Sequence, residues 1–182
     1  MKRFQFLLLD AGPIIKLFTL RIWDEFIKRC DVTISRIIAD DEALYTEDGC
    51  EQINLKPYEE HKLIRIIDVD VLCIDRFYRE FKLQGKYDIH AGEQETLAFL
   101  CTPSENWMVC SSDQVVFRIL GRLNKADQGI SLQEILAATG LGSGLKWETA
   151  NPAAGDWKYT KKFREKWTHK GQEDFVQDSP SA

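Results

Sequence analysis

Four times along the chain a short apolar run breaks off and a helical pattern follows, and this alternation constrains the fold more than any other feature. Residues 4–9 (FQFLLL) read as a buried strand, 32–35 (VTIS) and 64–69 (IRIIDV) as β-branched strands, and 107–113 (WMVCSSD) as a strand that runs straight into a helix. Pro13 suits the first turn of a helix, where its missing N–H costs nothing. Ile15, Phe18, Ile22 and Phe26 then follow at spacings of three and four, which predicts one continuous helix. A short helix is expected from Arg36 to about Thr46, and the segment TEDGCEQINLKP reads as loop, punctuated by Gly49 and Pro57. Ile74, Phe77, Tyr78 and Phe81 mark a further helix that Gly85 stops, and Gly92 to Leu100 another that Pro103 ends. Val116, Ile119, Leu120 and Leu123 share one helical face, and Ser131 with Glu134 forms a capping box opening a last helix. Strands alternating with helices imply an α/β fold with a central, mostly parallel sheet flanked by helices.

With 182 residues, 44% of them apolar, the chain has material for one ordinary core. The expected domain spans 1–139. Residues 140–182 read as a linker rich in Gly and Ala followed by a basic, aromatic C-terminal extension. Within 158–170, Lys158, Lys161, Lys162, Arg164, Lys166 and Lys170 are offset only by Glu165, a net of +5 that leaves −10 on the rest of a chain whose formal charge is −5. That balance argues against a surface that tracks a phosphate backbone all over. It leaves room for an acidic reaction centre with the cations held elsewhere.

No apolar run approaches the ~18 residues of a membrane span. The apolar stretch Phe6 to Leu9 is shorter than the ~7–15 residues of a secretory core, so the start reads as a strand and not as a leader. The five cysteines are odd in number and contain no C-x-x-C pair, which suits free thiols in the cytoplasm. His61 and His90 have no partner at zinc spacing.

In a parallel sheet the ligand site lies beyond the carboxyl ends of the strands, so the residues there carry the functional information. Asp10 follows the first strand. Asp40, Asp41 and Glu42 come shortly after the second. Glu93 and Glu95 open a later helix, and Asp113, preceded by Ser111 and Ser112, follows the strand near 110. Each acid alone has a plainer reading as a helix cap, as a complement to a helix N-terminus or as a solvated face. Together they would crowd like charges at one edge, raise one another's pKa and favour a hard divalent cation such as Mg²⁺ or Mn²⁺.

The segments LLLDAGPIIKL, IIADDEAL, HAGEQETLAFL and VCSSDQVVFRIL, in that order, resemble the four acidic motifs of PIN-domain nucleases over roughly residues 4–139. The resemblance implies metal-dependent hydrolysis of phosphodiester bonds, mostly of single-stranded RNA, leaving a 5′-phosphate and a 3′-hydroxyl, and often in the toxin of a toxin–antitoxin pair. It carries a metal-ligating and catalytic role to Asp10, to Asp41 or Glu42, to Glu93 with Glu95 in support, and to Asp113, with Ser111 placing either the substrate phosphate or a metal-bound water. The chain departs from the family in reading Ala11-Gly12-Pro13 where a hydroxylated residue or Asn is more usual. Single-stranded DNA is the alternative substrate, and an antitoxin-like protein and a second copy of the chain are the partners the family allows.

For the extension two readings stand side by side. Lys161, Lys162, Arg164 and Trp167 could bind substrate by neutralising phosphates and stacking on bases. Equally, a C-terminal helix could dock its aromatics on the domain and show its cations to water. The rival to the enzyme as a whole is a catalytically silent PIN-like domain that serves as a protein- or nucleic-acid-binding module. A phosphoryl-transfer or receiver-like protein using Asp10 as nucleophile is disfavoured, because position 12 is Gly where the dehalogenase D-x-D needs Asp, and no Lys is well placed near the end of a late strand for a receiver.

Overall fold

Among the described residues, five short strands hydrogen-bond in the order β3-β2-β1-β4-β5, every neighbouring pair parallel. The computed structural model describes residues 4–81, 83, 85–102, 107–143, 145, 147 and 155–178. The strands are β1 (Phe4–Leu9), β2 (Cys30–Ser35), β3 (Arg65–Ile67), β4 (Met108–Cys110) and β5 (Gly129–Ile130). The central parallel sheet flanked by helices is therefore present. Among the described residues no helix is long and apolar enough to cross a membrane.

Period-two alternation in β1 divides the core into two layers. Leu7 and Leu9 face one cluster with Ile14 and Leu17 of α1 (Ala11–Thr19), Phe26 of α2 (Trp23–Arg29), and Ile135 and Leu136 of α7 (Leu132–Thr139). Leu8 faces the other, with Phe77 of α4 (Val71–Glu80), Leu97 of α5 (Ala91–Leu100), Phe117 and Leu120 of α6 (Gln114–Arg122), and Phe163 of α8 (Lys161–Asp178).

Two expected helices are shorter than the sequence pattern suggests. The first breaks at Arg21, which takes φ +57, while the Ile22 N–H bonds back to Leu17 O; α2 then starts afresh at Trp23. The break rotates the stripe, so Ile14 and Leu17 are buried deepest and Ile15, Phe18 and Ile22 pack at the margin. The helix expected from Arg36 to Thr46 is only a π-helical turn, Ile38–Glu42, closed by Ala43 N–H to Ile38 O. Beyond it Tyr45 pairs with Gln52 across the loop that Gly49 turns, and α3 (Lys56–Glu60) follows with Pro57 in its first turn. The capping box of Ser131 and Glu134 opens α7 as expected, but the two-residue β5 in front of it lacks a pattern of its own. Pro103 lies outside the described residues.

The C-terminal segment is built into the domain. Helix α8 crosses α6 at backbone contact: a Cβ at Gly121 would stand 2.0 Å from Thr168 O, and one at Gly171 1.8 Å from Arg118 O. Glycines in helix interiors cost roughly 1 kcal/mol of helix propensity. Here they let the two helices touch. Arg118 bonds Asp174 through both Nε and Nη2, and Phe163 fills the gap beside Phe117. Of the segment expected to be linker, Leu141, Leu145 and Trp147 pack on the first core, and most of the remainder lies outside the described residues.

Candidate active site

The strand order reverses at β1, whose neighbours β2 and β4 are reached in opposite directions along the chain. A doubly wound sheet opens a crevice at such a switch point, outside the carboxyl ends of its strands. Asp10 stands at the end of β1 and Ser111 to Asp113 at the end of β4, so the reversal itself brings them together.

Asp10 caps α1, its Oδ1 accepting from Ala11 N at 2.8 Å. Its Oδ2 accepts from the Ser111 hydroxyl at 2.5 Å, and Ser111 Oγ in turn accepts from Asp113 N at 2.9 Å. Asp113 caps α6 through Val115 N at 2.8 Å. The two turns can approach this closely because Gly12 has no side chain: a Cβ there would lie 1.9 Å from Ser112 Oγ. The Ala11-Gly12-Pro13 departure noted in the sequence thus has a packing cause.

Of the two candidates after β2, the structure brings Glu42 and not Asp41 into the group. Ile38 is buried, and the wide i→i+5 winding of the π turn sets the residue four on nearly beneath it while the residue three on turns away. Asp40 and Asp41 are exposed, whereas Glu42 Oε1 accepts from Gly92 N at 3.0 Å. Gly92 is itself required, since a Cβ would stand 2.5 Å from both Glu42 Oε2 and Ile38 Cγ1. Glu93, one residue further on, is buried and accepts from His90 N at 3.0 Å. Glu95 is buried too, but its Oε2 accepts from Ile37 N at 3.4 Å, on the side of β2.

Electrostatics tie the group together. Burial pushes the Asp10 carboxyl up to about 6, against the Ser111 and Ala11 hydrogen bonds and with help from the charges of Glu42 and Asp113. Burial, then the charges of Asp10 and Asp113 and lastly Glu42, push Glu93 up to about 8. Segments remote in sequence thus place the charges of Glu42 and Asp113 within reach of both Asp10 and Glu93, and ionising all of them without a counter-charge is unfavourable.

The donor set fits a hard divalent cation in chemistry and charge. Among the described residues, however, no three acidic, histidine or cysteine side chains converge as a ready-made metal centre. Asp10, Glu42, Glu93 and Asp113 each give a carboxylate oxygen to a backbone N–H instead.

The substrate-binding candidates of the extension are distributed differently. Arg164 forks onto Glu134 at 2.8 and 3.0 Å, clamping α8 to the start of α7. Trp167 packs beside Phe163 and its indole N–H is buried, so the aromatic side of α8 faces the domain. Lys161 lies 3.6 Å from Glu165, and Lys162 is exposed.

A network that the sequence does not announce seats the extension beside the site. Tyr159 is fully buried; its hydroxyl donates to Glu47 Oε1 at 2.8 Å and lies 3.3 Å from Gly12 O. Lys16 bridges Glu47 at 2.9 Å and Asp156 at 2.6 Å beneath the Tyr159 ring. A hollow lined by Gln5, Asp31, Arg65 and Trp107 opens at the opposite end of the sheet and contains none of the clustered acids. Set against known protein families, curated proteins and solved structures, the chain matches none of them.

Proposed function

We propose that the protein is a divalent-metal-dependent nuclease, acting on phosphodiester bonds of single-stranded RNA, with a PIN-like site formed by Asp10, Glu42, Glu93 and Asp113. The observation that carries this reading is the upward push on the Asp10 and Glu93 carboxyls at the switch point of the sheet, first by burial and then by the neighbouring acids. Mg²⁺ or Mn²⁺ would neutralise the cluster and supply Lewis acidity toward a phosphoryl oxygen. Asp10 and Asp113 would hold the ion from the β1 and β4 ends, Glu42 and Glu93 from the other side. Ser111 fixes the orientation of Asp10 and ties it to the Asp113 backbone. A reducing interior such as the cytoplasm suits the five free thiols, two of which, Cys30 and Cys110, are core residues.

The capping bond that each of the four carboxylates already makes favours a second reading, a silent domain of the same fold whose acids serve the turns alone. Incubation of labelled single-stranded RNA with Mn²⁺, with EDTA, and with an Asp10→Asn/Asp113→Asn variant separates the two. The nuclease cuts with Mn²⁺ and stops cutting in EDTA and in the variant. A folded wild-type protein that cuts nothing under any metal condition is the silent domain.

A further inference from the structure

A cluster of carboxylates on a chain of formal charge −5 repels the polyanion it is proposed to cut, so capture of the strand needs cations close by. The C-terminal segment supplies three. Lys158 stands over the ring of Tyr159 at 5.1 Å, and Tyr159 touches Gly12, two residues from Asp10. The preceding Trp157 lies under Lys166 at 5.2 Å, and Lys166 also covers Trp167 at 5.0 Å. Lys162 sits one turn before Lys166 on the same side of α8. All three lysines are exposed, and among the described residues none lies within ion-pair distance of a carboxylate. The other cations of the segment are engaged: Lys161 with Glu165, Arg164 with Glu134 and Lys170 with Glu173.

We infer that Lys158, Lys162 and Lys166 form a phosphate-binding track that starts over Tyr159, the neighbour of Gly12, and leads a single nucleic-acid strand toward the clustered carboxylates. Its aromatic supports give it a fixed place: Tyr159 and Trp157 hold two of the ammonium groups against ring faces, which limits the freedom lost when phosphate binds. The track differs from the set suggested by composition, since Arg164 and Trp167 are committed to packing and only Lys162 is shared. The inference rests on the nuclease reading for its purpose, but its test does not read cleavage.

The test titrates full-length protein into a short fluorescein-labelled single-stranded RNA in EDTA, following anisotropy over a range of salt. The triple variant Lys158→Ala/Lys162→Ala/Lys166→Ala should weaken binding about tenfold at 0.1 M salt and lower the slope of log Kd against log salt by about 2, three contacts at ~0.7 each. The triple variant with Arg at the same positions should keep the wild-type slope. A control triple at the β3 side, Lys56→Ala/Lys62→Ala/Arg65→Ala, should leave both quantities unchanged. A DNA strand that responds as the RNA does supports the track, because lysines read phosphate and not sugar. If removing Lys166 lowers thermal stability, the double variant Lys158→Ala/Lys162→Ala carries the test, with a slope change of about 1.4. Equal losses in both triples, no loss in either, or no binding by the wild type overturns the inference. Failure of Mn²⁺-dependent cleavage leaves this binding result standing, and failure of binding leaves the metal test standing.

Discussion

Ser111 donates a 2.5 Å hydrogen bond to Asp10, across the join between the ends of β4 and β1. The same hydroxyl accepts from Asp113 N, so one buried oxygen fixes two of the four clustered acids. Replacement Ser111→Ala removes a donor from a buried carboxylate and an acceptor from a turn N–H. Stability should fall by about 1–3 kcal/mol in urea denaturation, and the Asp10 carboxyl, followed by NMR, should titrate above about 6. A neutral effect on both would mean that Asp10 takes its orientation from the backbone alone.

Without metal, stability should fall as pH rises from about 5 to above 8. The folded pKa of Asp10 is about 6 and that of Glu93 about 8, while the unfolded values are about 3.9 and 4.3. The folded protein therefore binds more protons across this window, and by linkage the stability contributed by the neutral carboxyls is full below pH ~4 and lost as pH climbs through each folded value. Melting temperature measured in EDTA checks the sign. Glu93→Gln should flatten the curve and stabilise the protein at pH 8. Groups with lowered pKa, such as Asp174 beside Arg118, act in the opposite direction, but only at more acid pH.

Gly121→Ala and Gly171→Ala should each destabilise by about 1–3 kcal/mol, as overpacking does. Alanine is the better helix former by about 1 kcal/mol, so on an isolated helix the sign would be reversed. The new methyl groups would meet the carbonyl oxygens of Thr168 and Arg118, which belong to helix backbone and cannot turn aside. Gly155→Ala, whose methyl would meet open space, is the matched control. Urea midpoints of the three variants decide it.

Arg164 and Glu134 should couple by about 1–3 kcal/mol in a double-mutant cycle for stability. Burial alone would raise the Glu134 carboxyl, yet the Arg164 fork and the Ser131 bonds hold it below the usual range. Arg164→Ala should therefore loosen α8 and leave the salt dependence of RNA binding unchanged. A large change in that dependence would return Arg164 to the phosphate-binding set.

The layered sheet was legible because the strand runs are short, apolar and each followed by helical periodicity, and the four acidic segments because each acid follows such a run. Less legible was anything set by close approach. Nothing local marks Gly12, Gly92, Gly121 and Gly171 as contact points, since the partner atoms lie far away in the chain. The choice between Asp41 and Glu42 depended on the winding of a single turn, which an α-helical reading leaves ambiguous. Trp157, Phe163 and Trp167 suggest stacking on bases by composition, but composition does not say which way a side chain faces, and in the structure they pack on one another and on α6. Lys16, Glu47, Asp156 and Tyr159 meet only because the loop holding Glu47 and the turn Gly155–Tyr159 both fold onto α1.

A calorimetric titration of Mn²⁺ into the protein at pH 7, repeated in buffers of different ionisation enthalpy, tests metal binding by the four acids most directly. With Glu93 near 8 and Asp10 near 6, a cation entering the cluster must displace about one proton. Saturable binding with that proton release is expected, lost in Asp10→Asn and with the proton stoichiometry collapsing in Glu93→Gln. Absence of saturable binding in the folded wild-type protein, or binding that both variants leave unchanged, would contradict it.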